Sequence, residues 1–375
     1  MHHSLANESF QCHDCSLPVT VPALQHRQKA HCPRCGMQLT RYYRDAIDHV
    51  LAYAISALIF LAASVPFDFL SFSARGQAQT VDIPTSVLTL IENDFMLLAI
   101  IQILAIFIVP MIILFGLLYL LVPLRINRKA PSGSAVVFKF VFALIPWGMA
   151  EIFLIGALVS LIKISSLADV GLGFSFYAYI GFALCMVLTL NYMDKFELQQ
   201  KLKLPRHTAS PGRKSSQQCW ALLATAVVLY IPASTLPIMT TRLLGQDEPS
   251  TIMGGVLVLW EHGSYPIAVI IFFASVFIPI VKMLVLAWLN YSVQTRRVSL
   301  HKQRILLYRI IEFVGRWSMI DVFVVAVLVS LIQLGNTMSI YPGPAALAFS
   351  GVVVLTMLAA MAFDSHLIWH PDKHD

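Results

Sequence analysis

Charge is what this sequence has least of. Only 12% of its 375 residues are Asp, Glu, Lys or Arg, while 58% are hydrophobic. That balance excludes a soluble domain of this size, because too little polar surface would remain to keep it dispersed. Catalytic signatures are missing too. The chain contains no G-x4-GK[ST] phosphate loop, no H-E-x-x-H and no G-x-S-x-G, so nothing points to an enzyme. Energy for any transport would come from a gradient or from other subunits.

Long apolar runs take their place. A helix needs about 20 apolar residues to cross a ~30 Å hydrocarbon core, and eight such stretches occur, near 49–69, 96–122, 145–164, 174–194, 219–238, 265–290, 318–334 and 343–363. The first follows a polar, cysteine-bearing segment of nearly 50 residues, so it is not read as a cleavable signal peptide. Lys and Arg number 26, and 22 of them fall in the N-terminal segment, the tail and the loops after spans 2, 4 and 6. Loops after odd spans hold only Arg75, Lys163 and Arg242. Retention of positive charge on the cytoplasmic side therefore places both termini in the cytoplasm. The net charge of +6 follows from this asymmetry and from attraction to an anionic leaflet, and gives no argument for nucleic acid. All six tryptophans, at 147, 220, 260, 288, 317 and 369, fall near expected span ends, as in an aromatic belt.

The chain repeats itself. WGMAEIFLIGALVSLIKI, Trp147 to Ile164, recurs as WSMIDVFVVAVLVSLIQL, Trp317 to Leu334, and the proline pairs Pro66/Pro237 and Pro110/Pro279 keep nearly the same offset. Four spans per copy, an even number, give both copies the same orientation. The expected fold is an all-α polytopic membrane protein of eight transmembrane helices, built as two like-oriented four-helix repeats behind an N-terminal cytoplasmic zinc ribbon. Its boundaries are 1–48 for the ribbon, 49–194 for the first unit, 195–218 for a linker, 219–363 for the second unit and 364–375 for a cytoplasmic tail. Residues 299–316 mix Leu306, Ile310 and Phe313 with Arg304, Arg309 and Arg316. They read either as an amphipathic helix in the cytoplasmic interface or as a loop helix that orients span 7.

Cys12, Cys15, Cys32 and Cys35 form two C-x2-C knuckles. Each aims two thiolates at one point, and together they close a tetrahedral structural site with no open position, for one Zn²⁺ or a similar thiolate-bound metal. Two disulfides are the competing reading, opposed by the cytoplasmic placement. His13 and His31 flank the ligands, but four thiolates already complete the shell. Cys185 and Cys219 stand alone and are read as structural.

Glu151 and Asp321 occupy equivalent positions of the repeat, four residues beyond a tryptophan, so the sequence places them about one turn into the bilayer from the cytoplasmic face. Lys282 lies deeper in span 6, after Pro279, and its stem could reach a carboxylate on a neighbouring helix. These three read as a polar network meeting substrate, or as ordinary polarity at headgroup level. Lys163, ~18 Å beyond Glu151 along the helix, is expected to reach outward toward Asp169.

CHDC with AHCPRCG, WGMAEIFLIGALVSLIK, LPIMTTRLLGQDEPSTIMGGVLVLWEHGSYP, EFVGRWSMIDVFVVAVL and MSIYP together resemble the paraquat-inducible protein A family of Gram-negative inner membranes. The resemblance covers nearly the whole chain. It implies a phospholipid-transport role beside a periplasmic MCE-domain tunnel protein, often with an outer-membrane lipoprotein. Similar members carry two zinc ribbons, whereas the linker here has no C-x2-C. The leading expectation is a non-enzymatic subunit of an MCE-type lipid transport system that maintains the envelope. The alternative is a proton-coupled exporter of small amphiphiles, or a zinc- or redox-sensing scaffold.

Overall fold

The computed structural model describes residues 8–12, 14–21, 24–74, 77–92, 95–126, 128–164, 169–204, 213–243, 246–261, 263, 265–295, 301–331 and 338–369. It begins with a head of two antiparallel hairpins, β1 (Glu8–Gln11) with β2 (Pro18–Val21) and β3 (Lys29–His31) with β4 (Gln38–Arg41). Each hairpin turn carries one C-x2-C knuckle.

After the head, α1 (Ala46–Ala63), β5 (Leu70–Ala74), β6 (Gln77–Val81), α2 (Ile83–Glu92), α3 (Met96–Ile103), α4 (Val109–Arg125), α5 (Ser134–Leu144), α6 (Ala150–Ile164), β7 (Asp169–Leu172) and α7 (Phe174–Tyr192) follow in turn. A short α8 (Lys195–Lys201) leads to α9 (Arg213–Thr235), β8 (Met239–Leu243), β9 (Gln246–Ser250), α10 (Ile252–Glu261), α11 (Tyr265–Phe272), α12 (Ile278–Gln294), α13 (His301–Trp317), α14 (Ile320–Leu331), β10 (Met338–Pro342) and α15 (Pro344–Ala362). From α9 onward, the order of elements set by α1 to α7 recurs without a change.

Among the described residues eight helical stretches are long and apolar enough to cross a membrane. Their limits differ from the sequence reading where local chemistry intervenes. Helix α1 stops at Ala63 because Ser64 closes its last turn, donating its N–H and hydroxyl to carbonyls of Phe60 and Leu61, and Pro66 has no N–H with which to continue. Just ahead of Pro110 and Pro279, single π turns at Leu104–Ile108 and Phe273–Phe277 join α3 to α4 and α11 to α12. The wider turn accommodates the hydrogen bond each proline cannot make.

The third and seventh spans are broken helices. α5 passes through a 3₁₀ turn at Ile145–Trp147 into α6, and α13 runs into α14 across Ser318–Met319, giving spans of 29 and 30 residues. Residues 301–317 form the first half of this seventh stretch and pack on α12 and α15. Trp147 and Trp317 sit at these breaks.

The all-α expectation is corrected by two three-stranded antiparallel sheets, β6-β5-β7 and β9-β8-β10, at one end of the helices. Gly173 and Gly343 lead from each sheet into the next span. A Cβ at Gly173 would strike the Asp68 carbonyl and one at Gly343 the Pro237 carbonyl, so the chain can pass there only without a side chain. At the centre α6 packs on α14. Phe153 meets its counterpart Phe323 edge-on at 5.6 Å between ring centroids, and Gly156 leaves only 3.0 Å between a would-be Cβ and Phe323.

Candidate functional site

The two knuckles fold alike. Ser16 N–H donates to Cys12 O and Gly36 N–H to Cys32 O, while the Cys12 and Cys32 amides donate to Leu17 O and Met37 O. Ser16 and Gly36 both take left-handed φ values, 54° and 71°, so the glycine that the sequence signals in one knuckle is a serine in the other. All four thiols are buried and not disulfide-bonded. Their sulfurs lie within 4.8 Å of one another, with Cys12–Cys35 at 3.4 Å and Cys15–Cys32 at 3.5 Å. A tetrahedral ion with metal–sulfur bonds of ~2.3 Å sets sulfurs ~3.8 Å apart, so the four cysteines fit a metal ion. Burial pushes the Cys12 thiol up to about 11 and raises Cys15 further. Burial also acts upward on Cys32, but N–H groups of Cys35 and Arg34 outweigh it and lower that thiol. Buried, crowded thiols of this kind make poor redox sensors and good partners for a cation that holds them deprotonated. His31 Nδ1 donates to Gly36 O at 3.3 Å and does not enter the cluster; His13 lies outside the described residues.

The head is docked onto the helices. Asp14 pairs with Arg309 of α13 at 2.7 Å, and the same guanidinium lies 3.7 Å from Cys35 Sγ. Ser16 Oγ and His366 Nδ1 are 2.6 Å apart, and Arg34 stacks over Trp369. On its other side, Asp194 accepts from Thr40 Oγ1 and the Arg41 amide while capping α8 through the Phe196 and Glu197 amides. An ordered helix thus opens the stretch the sequence leaves as plain linker; residues 205–212 lie outside the described residues.

Glu151 and Asp321 open α6 and α14, the second helices of the broken spans. Along the continuous apolar stretches 134–162 and 301–330 they therefore lie past the midpoint counted from the head. The sequence reading starts these stretches later because α5 and α13 carry Lys139, His301 and Arg304 and read as loop. Glu151 is within electrostatic range of Arg316 and of Tyr179, which is wholly buried with no hydrogen-bond partner for its hydroxyl among the described residues. Lys282 is 1% exposed, and its Nζ has no hydrogen-bond partner among the described residues. It lies against Gly315 of α13, where a Cβ would stand 3.1 Å from Nζ. Among the described residues no hydrogen bond joins Lys282 Nζ to either acid. The side chain of Lys163 lies outside the described residues, and so does its expected approach to Asp169.

Asp321 borders a cavity of about 600 Å³ between α10, α14 and the β8–β9 hairpin, lined by Ile162, Met239, Glu248, Gly254, Gly255, Ile271, Ser275 and Val324 among others. The equivalent place in the first half, among Leu70, Val81, Ile83, Ser86, Val327 and Ser330, holds only about 10 Å³. The sequence signals for this difference are the Gly254-Gly255 pair and Gln102, a polar residue inside an apolar run.

Fold and site define a polytopic membrane protein whose head clusters four thiols that could hold a metal ion, with broken spans that open on carboxylates and an apolar cavity beside one of them. The profile of the paraquat-inducible protein A family matches residues 47–203 and, a second time, 216–372. The chain belongs to that family. It is 36% identical to the intermembrane transport protein PqiA of Escherichia coli K12 over 98% of this chain and 97% of the relative. A probable intermembrane transport protein of Haemophilus influenzae is 27% identical over 96% and 95%. The lipophilic envelope-spanning tunnel protein A of Escherichia coli K12 is 26% identical over 97% and 91%. No solved structure matches.

Proposed function

We propose that this protein is a non-enzymatic, multi-pass inner-membrane subunit of an MCE-type system that moves phospholipid between the two membranes of a Gram-negative cell. The observation that carries the reading is the cavity of about 600 Å³ beside Asp321, within the ~300–1,000 Å³ span typical of small-molecule sites, in a chain whose relatives are named for intermembrane transport and a lipophilic tunnel. Acyl chain enters between α10 and α14, and the headgroup meets the polar set of Glu151, Asp321 and Lys282. Lys163 stands near the far end of α6, toward the exit.

Two like-oriented four-helix units, 49–194 and 219–363, share this architecture, with both termini cytoplasmic and the two sheets periplasmic. There they face an MCE-domain tunnel protein, and through it an outer-membrane lipoprotein. The four cysteines hold one structural Zn²⁺. A second reading, proton-coupled export of small amphiphiles, draws support from the depth of Glu151 and Asp321. The test is lipid analysis of the purified protein with transfer assays to the MCE partner. Stoichiometric phospholipid, lost when Val324 is replaced by Trp to fill the cavity, is the expected result. Protein that copurifies without lipid and leaves lipid transfer unchanged when the cavity is filled overturns the reading.

A further inference from the structure

The two halves treat one architectural position in opposite ways. In the first, Gln102 Nε2 donates to Ser86 Oγ at 3.1 Å, and Ser86 Oγ donates to Ser330 Oγ of α14 at 3.0 Å. The second bond crosses from one half to the other, the first braces Ser86 from α3, and α2 and α3 both pack on α14. All three residues are buried, and the space left, about 10 Å³, is at most that of one water. In the second half the corresponding residues are Gly255, Ile271 and Ser160. Ser160 keeps its hydroxyl on carbonyls of Gly156 and Val324, Gly255 faces open space, and Gly255 and Ile271 line the cavity of about 600 Å³. Both hairpins, α2–α3 and α10–α11, are joined to the following helix through the same π turn and proline, a common site of helix bending. Hinge and hairpin are thus shared, and the difference is the polar contact.

Resting on the lipid-transport reading above, we infer that the halves have divided roles. The α10–α11 hairpin is a moving gate that admits one phospholipid acyl chain to the second-half cavity, whereas the first half is a latched copy, held shut by Gln102, Ser86 and Ser330. Ligand occupancy is therefore one chain per protein.

Exchanging the latch tests this. Gly255→Ser with Ile271→Gln installs the first-half residues on the α10–α11 hairpin where it borders the cavity, and the added Cβ at position 255 has room. Ser86→Gly with Gln102→Ile removes the latch from the first half. The probe is a phosphatidylethanolamine with a photoactivatable acyl chain, in phosphatidylethanolamine/phosphatidylglycerol vesicles, with labelled residues mapped by mass spectrometry. Wild type should label around Val324 and Ser275 only. The latched second half should lose label about five- to thirty-fold, as two net hydrogen bonds allow, and the unlatched first half should gain label around Val327. That gain is a readout misfolding does not mimic. Wild type without label at Val324 and Ser275 sinks the lipid reading itself. Wild-type label that is unmoved by both exchanges leaves that reading standing and overturns the latch.

Discussion

Replacing Lys282 by methionine should make the protein more stable and less able to work. The side chain is 1% exposed in the middle of the span Ala268–Gln294, and its ammonium has no hydrogen-bond partner among the described residues. Insertion scales place the cost of a lysine at a span centre at about 2.5–3.5 kcal/mol. Methionine keeps the stem length and the packing against Gly315 while removing the charge, so most of that cost, about 2–3 kcal/mol, should return as stability. Equilibrium unfolding of wild type and Lys282→Met in one detergent measures it, and envelope-barrier complementation reads the function. A variant destabilised by 1 kcal/mol or more would refute the reasoning, because breaking a buried ion pair costs about 3–5 kcal/mol and such a loss means that Lys282 has a counter-ion. Pairing with Glu151→Gln or Asp321→Asn separates the roles. Restored function in a double variant marks charge balance, and its absence marks direct contact with substrate.

Elemental analysis should find one zinc per chain, and replacing the four cysteines by serine should destabilise the head; under about half an equivalent, with unchanged stability, removes the metal centre. Metal-loaded protein should lose its ion as pH falls, since protons compete for the thiolates. The metal-free head should show the opposite trend. Its Cys12 thiol is raised from near 9 to about 11, so the folded form holds the proton more tightly, and the stabilisation present below pH ~9 is lost as pH rises toward 11. Reporter fusions at Gly171 and Met338 should report periplasm and those at Lys129 and Gln303 cytoplasm; one reversed loop breaks the like-oriented arrangement. A double-mutant cycle of Asp14→Ala with Arg309→Ala should give a coupling of about 1–2 kcal/mol, the lower part of the range for charged hydrogen bonds because Arg309 is partly exposed; additivity would mean the contact does not hold the head.

Eight spans, the proline register and the cysteine cluster were legible because each rests on a strong local signal: a run of apolar residues, a missing N–H, a fixed thiol spacing. The sheets were not, since strands such as Asp169–Leu172 and Met239–Leu243 are too short for a period of two to emerge. Nor were α2 and α10, apolar but only 10 residues long. The continuation of spans 3 and 7 back through α5 and α13 was not legible, because these helices interleave basic residues with apolar ones and read from sequence as loop or interface. The cavity was invisible for another reason. It depends on what Gly255 and Ile271 lack relative to Ser86 and Gln102, a comparison that needs the two halves superposed.

The docking of the head has a mechanical consequence. Through Asp194 its strand β4 is tied to the start of α8, at the close of the first half, and through Asp14, Ser16 and Arg34 its knuckles grip α13 and the turn around His366 and Trp369, in the second. A single small body, built around the four cysteines, thus straddles the seam. If one half tilts against the other, the head must either strain across the seam or let go of one side. Because one head contacts both modules, it is placed as a crossbar between them.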